Sequence, residues 1–313
     1  MAMKCVLMNS FIKNLALKNH DKCAAAITRF ISTQKSASSK LFFLPASPSA
    51  KLLQPTTTAL TATRFQKMDS KNFSTSGPQP SNLTFRQLLD YATFTYTYIL
   101  GDNASKKAII IDPVLERVER DAKLLKELQF DLIYALNTHM HADHITGSGE
   151  LGRIFQNCKS VISKHTSAQA QKYIDDGDVI EFGKFKLECL STPGHTDGCV
   201  SYLLRDHGLV FTGDALFVRG CGRTDFQQGI PQLLYNSVHK KLFSLPDHFL
   251  IYPGHDYNGN MSSTVWEEKT YNPRLTKPFE EFKKIMDNLN LPKPKLIDVA
   301  VPGNMVDGLL DKK

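Results

Sequence analysis

Residues 139–144 hold three of the chain's ten histidines and an aspartate: His139, His141, Asp143 and His144. Neutral imidazole and carboxylate are the usual donors to zinc, iron or manganese, so this density reads as a metal-binding loop rather than a chance surface cluster. The apolar run Leu132-Ile133-Tyr134-Ala135-Leu136 comes immediately before it. A strand running out into the loop would point His139 and His141, two residues apart, the same way. A divalent ion needs further ligands. Pro193-Gly194-His195-Thr196, Thr212-Gly213-Asp214 and Pro253-Gly254-His255 offer them, each just after another apolar stretch.

Those stretches are the elements that must position the ligands. Alternation over Thr93 to Leu100 puts Phe94, Tyr96 and Tyr98 on one face and predicts a half-buried strand, and Ala108 to Ile111 predicts a second. Leu115, Val118, Ala122, Leu125 and Gln129 recur at helical spacing. Phe130 to Leu136 is a buried strand, a helix is expected from Ile145, and a short helix is expected around Ala168 to Tyr173. Gly147 and Gly149 are poor helix formers, and close packing around the metal is one reason to keep them. Phe185-Leu187-Cys189, Val200-Tyr202-Leu204, Leu209 to Phe211 and Phe249 to Tyr252 complete the strand signals. Four apolar strands thus end in His- or Asp-bearing loops, as if on one edge of a sheet. Alternating strand and helix signals predict a layered α/β protein.

Of 313 residues, 42% are hydrophobic and 22% charged, values of a soluble globular protein. The net charge of +7 is unevenly placed. Residues 1–80 carry eleven lysines and arginines against two acids, an excess of nine, so the remainder is faintly acidic. A nucleic-acid groove needs clustered positive charge, which the body lacks. Residues 1–65 are basic and rich in Ser, Thr and Ala, the composition of an organelle transit peptide, mitochondrial (matrix) in preference to plastid. Residues 66–82 read as a linker, and Met68 could start a shorter product without the address. Residues 83–313 form the catalytic domain. The six cysteines show no Cys-x-x-Cys pair, which fits a reducing compartment. No run is long and apolar enough to span a bilayer, so no membrane association is expected.

Thr138-His-x-His-x-Asp-His144, Pro-Gly-His195-Thr, Thr-Gly-Asp214 and Gly-His255 resemble the metallo-β-lactamase superfamily, which implies a four-layer αββα sandwich with metals at one edge. In that layout His139, His141 and His195 match one metal position, Asp143, His144 and His255 a second, and Asp214 bridges them. Within the superfamily, Asn137 to Gly149, Phe211 to Leu216, Arg219-Gly-Cys-Gly-Arg-Thr-Asp-Phe-Gln-Gln-Gly229 and Ile251 to Tyr257 are similar to the persulfide dioxygenases, the ETHE-type enzymes of mitochondria. Asn272-Pro-Arg, Ile285 to Pro294 and Ala300-Val-Pro302 match the same family. The resemblance implies one Fe(II) per subunit on His139, His195 and Asp214, an arrangement that leaves open positions for substrate and O2. His141, Asp143, His144 and His255 would then support those ligands or mark a second metal. It further implies glutathione persulfide as substrate, sulfite and glutathione as products, and a homodimer. Arg223 is a candidate grip for a glutathione carboxylate, because guanidinium offers two parallel donors, with an ion pair to Asp225 as the competing reading. Tyr257 is a second candidate substrate contact, with rim packing as its alternative. Cys221 is read as a packed thiol, and His165, His207, His239 and His248 as residues outside the site.

Residues alone leave one-metal and two-metal sites open. The alternative is a glyoxalase II-type hydroxyacylglutathione hydrolase with a binuclear centre and a metal-bound hydroxide. Such hydrolases add a helical substrate domain after the last ligand. Here only 58 residues follow His255, interrupted by Pro273, Pro278, Pro292 and Pro294. A third reading, a scaffold that kept the fold and lost activity, does not account for an intact ligand set.

Overall fold

The apolar runs become strands of two six-stranded sheets. In this computed structural model residues 82–310 are described; the leader, Met68 and, apart from Asn82, the linker lie outside them. The first sheet runs in sequence order: β1 (Leu83–Asp90), β2 (Thr95–Asp102), β3 (Lys107–Ile111), β4 (Asp131–Leu136), β5 (Lys159–Ser163) and β6 (Lys172–Ile174). The second is ordered β12 (Ser263–Thr264), β11 (Leu250–Pro253), β10 (Leu209–Gly213), β9 (Val200–Leu204), β8 (Phe185–Ser191) and β7 (Val179–Phe182). Side chains alternate across each strand, and the inward set fills the space between the sheets: Tyr98, Ile109, Ile111 and Leu136 face Phe182, Leu187, Tyr202 and Phe211. Outside the first sheet, helices α1 (Val118–Glu127) and α2 (Ser148–Ile154) lay Leu125 and Leu151 on Ile99, Ile110 and Leu132. Outside the second, α3 (Pro231–Ser237), α4 (Val265–Tyr271) and α5 (Phe279–Asp287) lay Leu234, Val265 and Phe282 against Leu203, Val210 and Ile251. The layers are therefore α, β, β, α.

Strand direction decides where the ligands go. β8 is antiparallel to β9 and β9 to β10, while β10 is parallel to β11. β8, β10 and β11 consequently run the same way, and their C-terminal ends, which precede His195, Asp214 and His255, open on one edge. β3 and β4 are parallel in the other sheet, so Asp112 and the loop after Leu136 also leave together. The expectation of one sheet edge needs correcting: two sheets contribute. Two buried tyrosines span the gap and fix that edge, with Tyr98 donating to the Pro253 carbonyl (2.6 Å) and Tyr202 to that of Asn137 (2.9 Å).

Other local expectations change for identifiable reasons. β2 is buried at all eight positions, not half-buried, because α1 covers the face that the inner core does not. It begins at Thr95, leaving Phe94 outside the strand. The helix expected over 168–173 is absent: Gln171 exchanges hydrogen bonds with Ser160 on β5 (2.8 and 3.1 Å), which draws the segment into the sheet as β6. α2 starts at Ser148 rather than Ile145, since the Ile145 carbonyl is taken by Leu115 N–H (2.9 Å). Gly149 there gives room to the Asp307 carbonyl, from a segment far away in sequence.

Gly213 closes β10 with φ +50, and a Cβ there would lie 2.6 Å from Thr138 Oγ1. Gly213→Ala should therefore lower stability by about 2 kcal/mol or more, adding overpacking to left-handed backbone cost. Gly177 is also left-handed (φ +81) but faces open space, so Gly177→Ala should cost only about 1 kcal/mol. Urea unfolding of the two variants checks the difference; equal losses would contradict it.

Candidate metal centre

The loop after β4 has to hold several imidazoles inside the protein, and a single buried carboxylate organises it. Asp112, just beyond β3, accepts the Thr138 N–H (2.7 Å), the Thr138 hydroxyl (2.8 Å) and His141 Nε2–H (3.1 Å). Its own backbone is left-handed (φ +51), held by Thr97, whose hydroxyl donates to the Asp112 carbonyl (2.8 Å). Burial pushes its carboxyl above the ordinary range, and the imidazole of His139 and the Thr138 donors work against that push.

These contacts fix tautomers. The Thr138 hydroxyl gives its one proton to Asp112, so toward His139 Nδ1 (2.9 Å) it accepts, and the ring carries its proton on Nδ1. His195 Nδ1 lies 2.7 Å from the Arg223 carbonyl, which can only accept. In both rings the Nε2 lone pair is thereby left for a metal. Those atoms sit 4.0 and 3.5 Å from Asp214 Oδ2, and the three donor atoms lie within 4.8 Å of one another. Asp214 and His195 are each 9% exposed and His139 only 1%. Burial, and then the neighbouring His141, depress the His139 imidazole well below its ordinary value; burial and His144 do the same to His141. Both rings are then neutral near pH 7, the form that binds metal.

His141, Asp143 and His144 form a second such group. His144 Nδ1 donates to Asp143 Oδ2 (3.0 Å), and the Thr95 hydroxyl donates to the same oxygen (3.2 Å). Burial alone would raise the Asp143 carboxyl, but His144 and His255 hold it well below the usual range. His255 Nε2 stands 3.6 Å from both Asp143 Oδ2 and Asp214 Oδ1. The buried polar atoms here without a hydrogen-bond partner among the described residues include Asp214 Oδ1, His141 Nδ1 and His144 Nε2. Buried polar atoms are ordinarily satisfied, so a donor set facing itself without partners fits a bound cation.

Arg223 is engaged elsewhere. Its guanidinium pairs twice with Asp225 (2.6 and 2.7 Å) and donates to the carbonyls of Pro292 and Leu291. The grip on a substrate carboxylate expected of it would require breaking that brace; its backbone carbonyl is what reaches the site, through His195. Tyr257 lies at the rim, 64% exposed, its ring stacked on that of His255. Cys221 is buried against Met286, and burial pushes its thiol up to about 11, so it stays protonated. Asp112 escaped the sequence reading although it shares the signature of Asp214, a carboxylate at the end of an apolar strand. Asn304 carried no signal. At the end of α6 (Ile297–Asn304), it donates to the carbonyls of His141 (2.8 Å) and His144 (2.9 Å) and accepts from Thr146 N–H (2.8 Å). Gln227 adds a donor to the Met140 carbonyl (2.8 Å).

The profile of the metallo-beta-lactamase superfamily matches residues 90–255. The mitochondrial persulfide dioxygenase ETHE1 of Bos taurus is 59% identical over 224 residues, covering 72% of this chain and 88% of its own. The crystal structure of ETHE1 from Myxococcus xanthus superposes with a TM-score of 0.70 at 51% identity, over 72% of this chain and 99% of that one. A hydroxyacylglutathione hydrolase of Brucella ovis is more distant, 33% identical over 184 residues, covering 58% of this chain and 70% of its own.

Asn304→Asp keeps the acceptor for Thr146 and removes both donors to the ligand loop. It should weaken metal binding about 10- to 100-fold with an unchanged far-UV circular dichroism spectrum, as read by competition with a chelator; unaltered metal affinity would refute that role. In metal-free protein, His139 and His141 bind fewer protons folded than unfolded once pH falls below the ordinary imidazole value of 6.5. Stability therefore declines as pH drops below that value, by up to about 1.4 kcal/mol per pH unit for each ring. A melting temperature that stays level between about pH 7 and pH 5 after chelation would contradict this.

Proposed function

Because this chain belongs to the persulfide dioxygenases of the metallo-β-lactamase superfamily, we propose that it oxidises glutathione persulfide with O2 and water to sulfite and glutathione at a single non-haem Fe(II). The observation that carries the reading is the convergence of His139 Nε2, His195 Nε2 and Asp214 Oδ2 in a chain 59% identical to a persulfide dioxygenase. Two imidazoles and one carboxylate on one side suit ferrous iron and leave coordination positions open. When bound, the iron would supply the electron density that lets ground-state O2 react with a persulfide sulfur.

The chain's own residues do the positioning. The Arg223 carbonyl holds the His195 ring through Nδ1, and Asp112 holds His139 through the Thr138 hydroxyl. Both rings thus keep their lone pairs on the same carboxylate oxygen without rearranging, which is the preorganisation a metal site needs. His255 stands beside the other oxygen of Asp214 and beside Asp143, which in turn accepts from His144. Net turnover converts one persulfide, one O2 and one water to glutathione, sulfite and two protons.

The hydrolase alternative is not favoured, since the relative bearing that name is far more distant. The residues after His255 form short helices that pack back on the second sheet and on the ligand loop. The free thiols at Cys158, Cys189, Cys199 and Cys221 suit a reducing compartment. We place the protein in the mitochondrial matrix, as the names of its relatives suggest, with residues 1–65 as the address, and as a homodimer. Among the described residues no helix is long and apolar enough to cross a membrane.

The purified, iron-loaded protein should consume O2 with glutathione persulfide and release sulfite one for one, with one iron per chain by elemental analysis. Asp214→Asn and His139→Ala should each lower kcat at least about a thousandfold. Two metals per chain together with thioester hydrolysis and no O2 uptake would instead establish the hydrolase.

A further inference from the structure

Phe94 occupies a position that neither folding rule nor metal chemistry explains. It precedes β2 with φ +58, a left-handed conformation in which a bulky residue is a genuine outlier. Such strain persists only where surrounding structure enforces it, and it gathers at functional sites. Burial does not compensate here, because the side chain is 40% exposed. What enforces the conformation is the site itself. Thr95, the next residue, pairs by its backbone with His255, and its hydroxyl donates to Asp143. The Phe94 carbonyl accepts the Asp256 N–H (3.4 Å).

The outcome is a row of rings leading away from the ligands. The Tyr257 ring is parallel to that of His255 within 3° at 6.1 Å, and the Phe94 ring lies 5.6 Å beyond Tyr257. Phe94 is partly and Tyr257 largely open to solvent, an apolar surface at the rim with no covering element among the described residues. We propose that Phe94 is a specificity-determining residue: together with Tyr257 it forms an aromatic wall that seats the peptide body of a tripeptide-sized persulfide carrier. The terminal sulfur is then free to approach His139, His195 and Asp214. Backbone strain at Phe94 aims the ring at the carrier instead of at the core. The inference rests on the persulfide reading and assigns the part of the substrate that chemistry at the sulfur leaves undefined.

Phe94→Gly separates this role from a structural one, since glycine tolerates φ +58. In the iron-loaded full chain this variant should melt no lower than the wild type. Its KM for glutathione persulfide should rise about five- to tenfold, the loss expected for one aromatic contact, with kcat within about twofold. Cysteine persulfide, which lacks the flanking residues, should show a KM change below about twofold. Calorimetric binding of glutathione itself should weaken by the same factor as KM. An unchanged KM and unchanged glutathione binding, or an equal KM rise for both persulfides, would overturn the wall. Wild-type protein inert toward both persulfides would defeat the dioxygenase reading, and glutathione binding weakened by the substitution would still uphold the wall.

Discussion

The centre depends on one buried carboxylate. Asp112 is 1% exposed and accepts from a backbone N–H, a hydroxyl and an imidazole, all belonging to the ligand loop. A buried carboxylate is tolerable only when its lone pairs are satisfied. The same need makes it an organiser: the loop can satisfy Asp112 only by placing Thr138 and His141 where they stand, and Thr138 in turn orients His139. Truncating it would leave three donors unpaired beside the metal ligands, so its loss would be felt as misplacement of the site before it was felt in the core.

Around that anchor, neither sheet alone makes the site. The first contributes Asp112 and the loop of His139, His141, Asp143 and His144; the second contributes His195, Asp214 and His255. Their meeting is held by contacts that cross the gap, Tyr98 to Pro253 and Tyr202 to Asn137, and by the inter-sheet core beneath. Each large side chain in that core contributes about 1.5–3 kcal/mol. A rigid interior of this kind explains how donor atoms can be fixed to tenths of an ångström at strand ends. The last helix closes the back of the arrangement: Asn304 satisfies three backbone groups of the loop that no regular element could.

Electrostatics divides the labour around Asp214. On one side stand His139 and His195 with their lone pairs toward Oδ2; on the other, His255 stands beside Oδ1 and links it to the Asp143–His144 pair. Both flanks carry donors able to hold a metal, and the aromatic row of Tyr257 and Phe94 runs from His255 to solvent. Arg223 belongs to neither flank. Its brace to Asp225 and the 291–292 carbonyls holds the backbone that holds His195, a division between side chain and main chain that residue type does not disclose.

Local chemistry settled a good deal in advance. Density of His and Asp at strand ends marked the residues that converge at the candidate site, because metal donors are few in kind and must cluster; period-two alternation marked most strands, because a pleated strand exposes alternate faces. The charge split between the first 80 residues and the remainder could likewise be counted directly. Partnerships made across the fold could not be read that way. Gln171 turns a helical-looking stretch into β6 only because Ser160 lies opposite; Asp112 and Asn304 matter because folding brings them to residues 26 to 163 positions away. The seven candidate ligands could be named from the chain. Which of their atoms face one another was decided by the tertiary structure, since a tautomer is fixed by the partner of the ring's other nitrogen, and that partner is rarely a neighbour in sequence.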